Sequence, residues 1–288
     1  MKLLTHNLNG KDILAVLGAD GSVIDISKAN IYKKDMNELI LTLNNDEKTR
    51  LESLSHEIGG IKYENTVKRS PIIFPLQDII CLGINFMEHA VESYKFKKIE
   101  FDGKREYPVY FSKRANEIVG DGGFIESHND ITSTLDYEVE LAAIVGKDAK
   151  NISPDEVNKY IFGYTILNDI SSRDIQNRYK QWYYGKSLDG ATLMGPWIVT
   201  DLDVANLKIE SRINGELRQS SNTNKMIFDI NYVLSDLSKG MTIKAGSIIS
   251  LGTPSGVGMG FTPPKYLKTQ DVVECYIEGI GTLTNIVK

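Results

Sequence analysis

The segment Leu135-Asp136-Tyr137-Glu138-Val139-Glu140-Leu141 places a carboxylate at every second position and runs on into Ala142-Ala143-Ile144-Val145. Successive side chains of a strand face opposite ways. Asp136, Glu138 and Glu140 therefore share one face, and Tyr137, Val139 and Leu141 the other. Like charges two residues apart on one face repel unless a cation lies between them. The apolar flanks argue for burial, where uncompensated carboxylates are costly. A divalent cation answers both demands; a solvated acidic edge is the alternative. Asp169 closes a second strand-like run, Gly163-Tyr164-Thr165-Ile166-Leu167-Asn168, and offers a third ligand, or else a turn or helix-capping carboxylate. Histidine is scarce: His6, His56, His89 and His128 are the whole supply. Carboxylate oxygens therefore favour a hard cation, Mg2+ or Mn2+, with Ca2+ as its stand-in in a crystal, over a histidine-rich zinc site.

A second grouping is Gly83-Ile84-Asn85-Phe86-Met87-Glu88-His89-Ala90-Val91-Glu92. His89 and Glu92 stand at i and i+3, neighbours on one helical face. A carboxylate beside an imidazole orients it and favours its protonated form. Such a pair serves as a general base or activates water; a surface ion pair has the same spacing.

These groups need strands to hold them, and strand-like segments dominate from Pro71 onward. Ile79–Ile84 reads as a buried strand. Val109–Phe111, Val139–Val145, Trp197–Val199, Leu207–Ile213, Ser247–Leu251 and Val272–Ile277 follow, punctuated by glycine-rich turns. Helices are fewer. Ser153-Pro154-Asp155-Glu156 is a capping box with proline at the first helical position. Ile230, Val233, Leu234 and Leu237 mark another helix, stopped by Gly240. The pattern predicts a mostly β chain with some α (α+β), not a doubly wound parallel sheet. Residues 1–70 read as a small N-terminal α/β domain. Two strands flank the turn Gly18-Ala19-Asp20-Gly21, and Met36, Leu39, Ile40 and Leu43 recur at helical spacing. Polar residues Glu64 to Ser70 lead into the larger domain, 71–288.

The chain has 288 residues, 33 Lys+Arg and 38 Asp+Glu, a formal net charge of -5. A mildly acidic chain has no global attraction for nucleic acid or an anionic membrane surface. The N-terminal residues lack the apolar stretch of a signal peptide, and no window reaches bilayer-spanning length. A cytoplasmic protein is expected. Cys81 and Cys275 sit in apolar runs, as buried free thiols do.

The ordered set GINFMEHAVE, PVYFSKRANEIVG, LDYEVELAAIVGK, FGYTILNDISSRDIQ, QWYYGKSLDG, GPWIVT and SLGTPSGVGMGFTPPKYLKTQDVVE resembles the fumarylacetoacetate hydrolase family across most of residues 79–288. The insertion Pro263–Lys268 is nearer to its 2,4-diketo-acid hydrolase branch than to the shortest acylpyruvases. The resemblance implies a mixed β-roll, a homodimer, and a divalent cation held by Glu138, Glu140 and Asp169. It implies that His89 and Glu92 form a catalytic dyad on a lid segment, and that Lys186 contacts substrate oxygens. Arg173 and Gln176 are implied as polar neighbours of the pocket, and Thr253 as a contact of the substrate carboxylate. Gly190-Ala191-Thr192-Leu193-Met194 departs from the family's usual Phe and Pro, which puts the pocket wall in question. Ser93 to Glu106 reads as variable lid or specificity territory.

The implied chemistry starts from a small anionic 2-oxo acid whose carboxylate and keto oxygens chelate the cation, which stabilises an enolate. Lys186 and Arg173 neutralise further charge. With water activated by His89 and Glu92, the expected reaction is hydrolytic C–C cleavage of a diketo acid such as an acylpyruvate, fumarylpyruvate or a 2,4-diketo-3-deoxy sugar acid. The alternatives on the same site are oxaloacetate decarboxylation and hydration or isomerisation of 2-oxo-enoic acids. A non-catalytic cation- or carboxylate-binding protein is a third possibility.

Overall fold

The computed structural model describes residues 1–97, 100 and 103–288; part of the Ser93 to Glu106 segment therefore lies outside the described residues. The strand Val139–Val145 is buried along its whole length. Its residues alternate between two cores, as period two requires. Val139, Leu141, Ala143 and Val145 enter one cluster, and Ala142 and Ile144 enter the other. It pairs antiparallel with Ile161–Asp169 on one side and with Ile248–Ser250 on the other. Ile248–Ser250 in turn pairs parallel with Ile79–Gly83, which pairs antiparallel with Val109–Lys113. These strands form one half of a sheet with 11 strands among the described residues.

The other half of that sheet comes from the start of the chain. Strand Lys2–Leu8 pairs with Thr192–Val199, through Lys2 with Val199 and Leu3 with Ile198. Lys11–Leu17 and Ser22–Asp25 extend it as hairpin neighbours around the expected turn. The polar stretch after Glu64 is itself paired: Val67–Lys68 adds to Lys2–Leu8. Helices Met36–Thr42 and Asn45–Leu54 cover this end, the second opened by a complete capping box on Asn44 and Glu47. Their Leu39, Ile40, Leu51 and Leu54 share a core cluster with Ala142, Leu167 and Met194, so apolar packing is continuous across residue 70.

A five-stranded sheet, built around Lys208–Ile213, Val272–Ile277 and Gly281–Val287, closes the opposite side of the core. The mostly β expectation with few helices holds. The helix over Ile230–Gly240 forms as its periodicity predicts, capped by Asp229, and Pro154–Lys159 forms a 3-10 turn behind its capping box. Both cysteines are free and buried. No described helix is long and apolar enough to cross a membrane.

Candidate active site

The register explains why the carboxylates meet. Val139 faces Asn168 and Glu140 faces Leu167 in the antiparallel pair, and the Asp169 amide donates to Glu138 O at 2.9 Å. Glu140 on the strand Val139–Val145, Glu138 just before it and Asp169 at the end of the adjacent strand are thus brought together. Their ligating oxygens lie within 4.8 Å of one another, all three side chains buried.

Three cations answer them. Lys186 Nζ lies 2.5 Å from Glu138 Oε2 and 2.6 Å from Asp169 Oδ2. Arg173 Nη2 lies 2.7 Å from Glu138 Oε1. Lys113, fully buried, places Nζ 2.8 Å from Asp169 Oδ1 and donates to Ile170 O at 3.0 Å and to Lys186 O. The Lys113–Asp169 contact lacks hydrogen-bond geometry, so Asp169 Oδ1 is a buried oxygen with an unused lone pair. Burial alone would raise Glu138, but Lys186 and Arg173 outweigh it and hold its carboxyl far below the ordinary range. Burial opposes the charge on Lys186 as well, and the Asp169 and Glu138 carboxylates more than restore it. Glu140 goes the other way. Burial, then the neighbouring Asp169 and Glu138 charges, push it well above the ordinary range, although Ser250 Oγ donates to it at 2.5 Å and the Gly252 amide at 3.0 Å. All-oxygen donors and an unused lone pair fit a hard divalent cation.

Asp136 stands apart from the expected cation group. Leu135–Asp136 forms its own two-residue strand, paired with Ser171–Ser172, so the side-chain alternation is interrupted before Val139. The Asp136 carboxylate accepts from Arg173 Nε at 2.8 Å, Gly258 N at 2.6 Å, Met259 N at 3.0 Å and Tyr137 N at 3.0 Å. It anchors the arginine and the 258–259 turn.

His89 and Glu92 lie on helix Met87–Lys97. His89 Nδ1 is 3.0 Å from Glu92 Oε2, and Glu92 Oε1 accepts from the Gly256 amide at 2.9 Å. A Cβ on Gly260 would fall 1.9 Å from Glu92 Oε1, so only glycine leaves room for this docking. The turn before the helix holds Ile84 at φ 58, a costly conformation for a β-branched residue. Asn85 clamps it by donating to Phe228 O and Leu251 O and accepting from Phe228 N. His89, Glu138, Glu140, Arg173, Lys186 and Thr253 all line one cavity of about 40 Å³.

Gln176 reaches the same cavity and accepts from Arg173 Nη1 at 3.0 Å. Thr253 donates its hydroxyl to Val139 O at 2.9 Å and accepts from Gln219 Nε2 at 2.7 Å. Gly190–Met194 does not line this cavity. Ala191, Leu193 and Met194 are buried in the core clusters. Its departure from the family pattern therefore alters core packing, while Trp182, Phe111 and Met259 build the wall. Sequence reasoning missed Lys113, Gln219 and Ser250. Lys113 and Ser250 end apolar strand segments, where a polar residue was the available signal; Gln219 sits in the polar strand Glu216–Asn222, which offered none.

Mixed sheets around a buried carboxylate–lysine cluster are an arrangement that solved enzymes share. Residues 78–288 match the family described as fumarylacetoacetate (FAA) hydrolase C-terminal. The chain belongs to the fumarylacetoacetate hydrolase family. It is 46% identical over 234 residues to oxaloacetate tautomerase YisK of Bacillus subtilis (strain 168), covering 80% of this chain and 76% of that protein. The structure of a fumarylacetoacetate hydrolase from Exiguobacterium antarcticum superposes with a TM-score of 0.84 at 35% identity, over 100% of this chain and 99% of that one. Fumarylpyruvate hydrolase from Pseudomonas aeruginosa, solved with Mn2+ and pyruvate, aligns with a TM-score of 0.64 at 26% identity, over 74% of this chain and 90% of that one.

Proposed function

We propose that the protein moves a proton between carbon and oxygen of a small 2-oxo acid, interconverting enol and keto forms of oxaloacetate or a close relative. The observation that carries this reading is that His89 shares one small cavity with Glu138 and Glu140, which cluster with Asp169. The similarity to an oxaloacetate tautomerase supports it, and favours this alternative over hydrolytic C–C cleavage.

Glu138, Glu140 and Asp169 would hold Mg2+ or Mn2+. Bound there, the cation supplies Lewis-acid stabilisation of negative charge on substrate oxygens. Glu92 fixes the imidazole through Nδ1, which leaves Nε2 as the nitrogen that takes a proton from the substrate and returns it. Lys186 is held charged by its carboxylate neighbours and neutralises developing oxyanion character. Arg173, anchored by Asp136, keeps Glu138 ionised and in place.

The test is a Mn2+-supplemented assay of oxaloacetate enol–keto conversion, followed by the loss of enol absorbance, beside acylpyruvate cleavage. Accelerated tautomerisation that chelation abolishes is expected. Rapid acylpyruvate cleavage with no effect on oxaloacetate overturns it. That outcome would support the second reading, C–C hydrolysis, which the His89–Glu92 pair favours because such a pair also activates water.

A further inference from the structure

The geometry points to Trp182 as the residue that limits how long a 2-oxo acid this site accepts. The inference rests on the proposed 2-oxo-acid site and concerns its specificity. The cavity has a charged side, with Glu138, Glu140, Arg173 and Lys186, and an apolar side where Trp182 and Phe111 stand. Its volume of about 40 Å³ is the room of roughly three water-sized probes, at about 10–15 Å³ each. An acid with its carboxylate and keto group on the charged side has little space left for a tail.

The indole is held from two directions. It packs edge-on against Phe111, ring centroids 5.3 Å apart and planes at 71°. It also fills the space a side chain at Gly83 would take: a Cβ there would meet Trp182 Cζ3 at 2.4 Å and Cη2 at 2.8 Å. Strand Ile79–Gly83 ends at this glycine, so the ring rests on backbone and has little freedom to retreat inward. Phe111 is in turn covered by Lys186 Nζ, 5.2 Å from its ring centre. The wall is also tied to the charged side through the chain, because the Lys186 amide donates to Trp182 O at 3.2 Å. Trp182 is only half-buried. Removing its ring would open the cavity outward, where a longer tail finds solvent, and would leave the carboxylate cluster standing.

The experiment measures binding as well as turnover, so it does not depend on which reaction the enzyme performs. Calorimetry on the Mn2+-supplemented protein compares 2-oxobutanoate with 2-oxohexanoate and 2-oxooctanoate, for wild type, Trp182→Ala and Trp182→Phe. In wild type the longer acids should bind at least about tenfold more weakly than the short one, the discrimination that tight apolar walls achieve. Trp182→Ala should reduce that ratio to about threefold or less, and Trp182→Phe should give an intermediate ratio. Equal affinity across the series in wild type overturns the proposal. So does an unchanged ratio in whichever Trp182 variant folds, judged by an unchanged melting profile. Failure of oxaloacetate turnover with this binding pattern intact would instead overturn the tautomerase reading and leave the size limit standing.

Discussion

Asp136 Oδ2 lies 2.8 Å from Arg173 Nε, and solvent reaches neither carboxylate nor guanidinium. The same carboxylate takes the amides of Gly258 and Met259. One side chain therefore joins the arginine that braces Glu138 to the loop whose Gly256 amide holds Glu92.

Asp136→Ala leaves the buried Arg173 charge with only one of its two carboxylate partners, Glu138. A loss of roughly 3–5 kcal/mol of stability is expected, the usual cost of breaking a buried ion pair from one side. Asp136→Asn keeps one acceptor oxygen, enough for the Gly258 and Tyr137 amides, and should cost less. Urea denaturation of the two variants against wild type checks the order; equal costs would count against the loop contacts.

The three clustered carboxylates predict a cation-dependent melting temperature. Chelator should lower it, and Mg2+ or Mn2+ should restore it. Glu140→Gln replaces a carboxyl that burial and the Asp169 and Glu138 charges already push toward its neutral form when no cation is bound. The metal-free variant should melt no lower than metal-free wild type, and its gain from Mn2+ should be much smaller. Differential scanning fluorimetry with and without the metal reads both effects.

His89→Ala should abolish turnover while Mn2+ still stabilises the protein as in wild type, because the imidazole is outside the three-carboxylate set. Retained turnover would remove His89 from the mechanism. The fall in kcat is expected to be about 10²–10⁴-fold, the contribution of a positioned acid–base group.

Gly260→Ala attacks the same dyad without touching either member. A methyl 1.9 Å from Glu92 Oε1 must displace that carboxylate. His89 then loses its orienting partner, and kcat should drop roughly 10²-fold while Mn2+ binding persists. Unimpaired kcat in this variant would show that docking of Glu92 is dispensable.

Asp174 supplies a pH signature away from the cluster. Partial burial raises its carboxyl, but the hydroxyls of Thr132, Ser172 and Thr134 outweigh this and hold it down to about 2, against an ordinary 3.8. A depressed carboxyl stabilises the folded state above the unfolded value and stops doing so as pH falls through the folded one. That contribution should therefore disappear between about pH 4 and pH 2. Asp174→Asn should flatten this part of the acid-unfolding curve and leave the neutral region parallel to wild type.

Much of the site is written in local spacing. Glu138 and Glu140 obey strand alternation, and His89 and Glu92 obey helical spacing, so each pair was legible before its surroundings. Asp169 was legible as a carboxylate ending a strand, but its pairing register with Glu138 was not. Asp136 shows where alternation misleads. It obeys the same period, yet a break in the strand turns it toward Arg173, and nothing within a few residues of it announces that partner. Lys113 and Gln219 depend wholly on contacts far along the chain, Lys113 with Asp169 and Gln219 with Thr253. The 1–70 segment presents a similar lesson. Its own strands and helices follow from turn, cap and periodicity signals, whereas the bond from Leu3 to Ile198 does not.

That last pairing has a consequence for how the protein is made. Lys2–Leu8 leaves the ribosome long before its sheet neighbour Thr192–Val199 is synthesised. During that interval the Lys2–Leu3 end of the hairpin formed with Lys11–Leu17 lacks its sheet neighbour, and an unpaired edge invites strand addition. Joining elements so distant in sequence also slows folding, because loop closure must precede the reward of contact. The nascent chain is therefore most vulnerable to aggregation before Val199 emerges, and chaperone dependence should concentrate in that window.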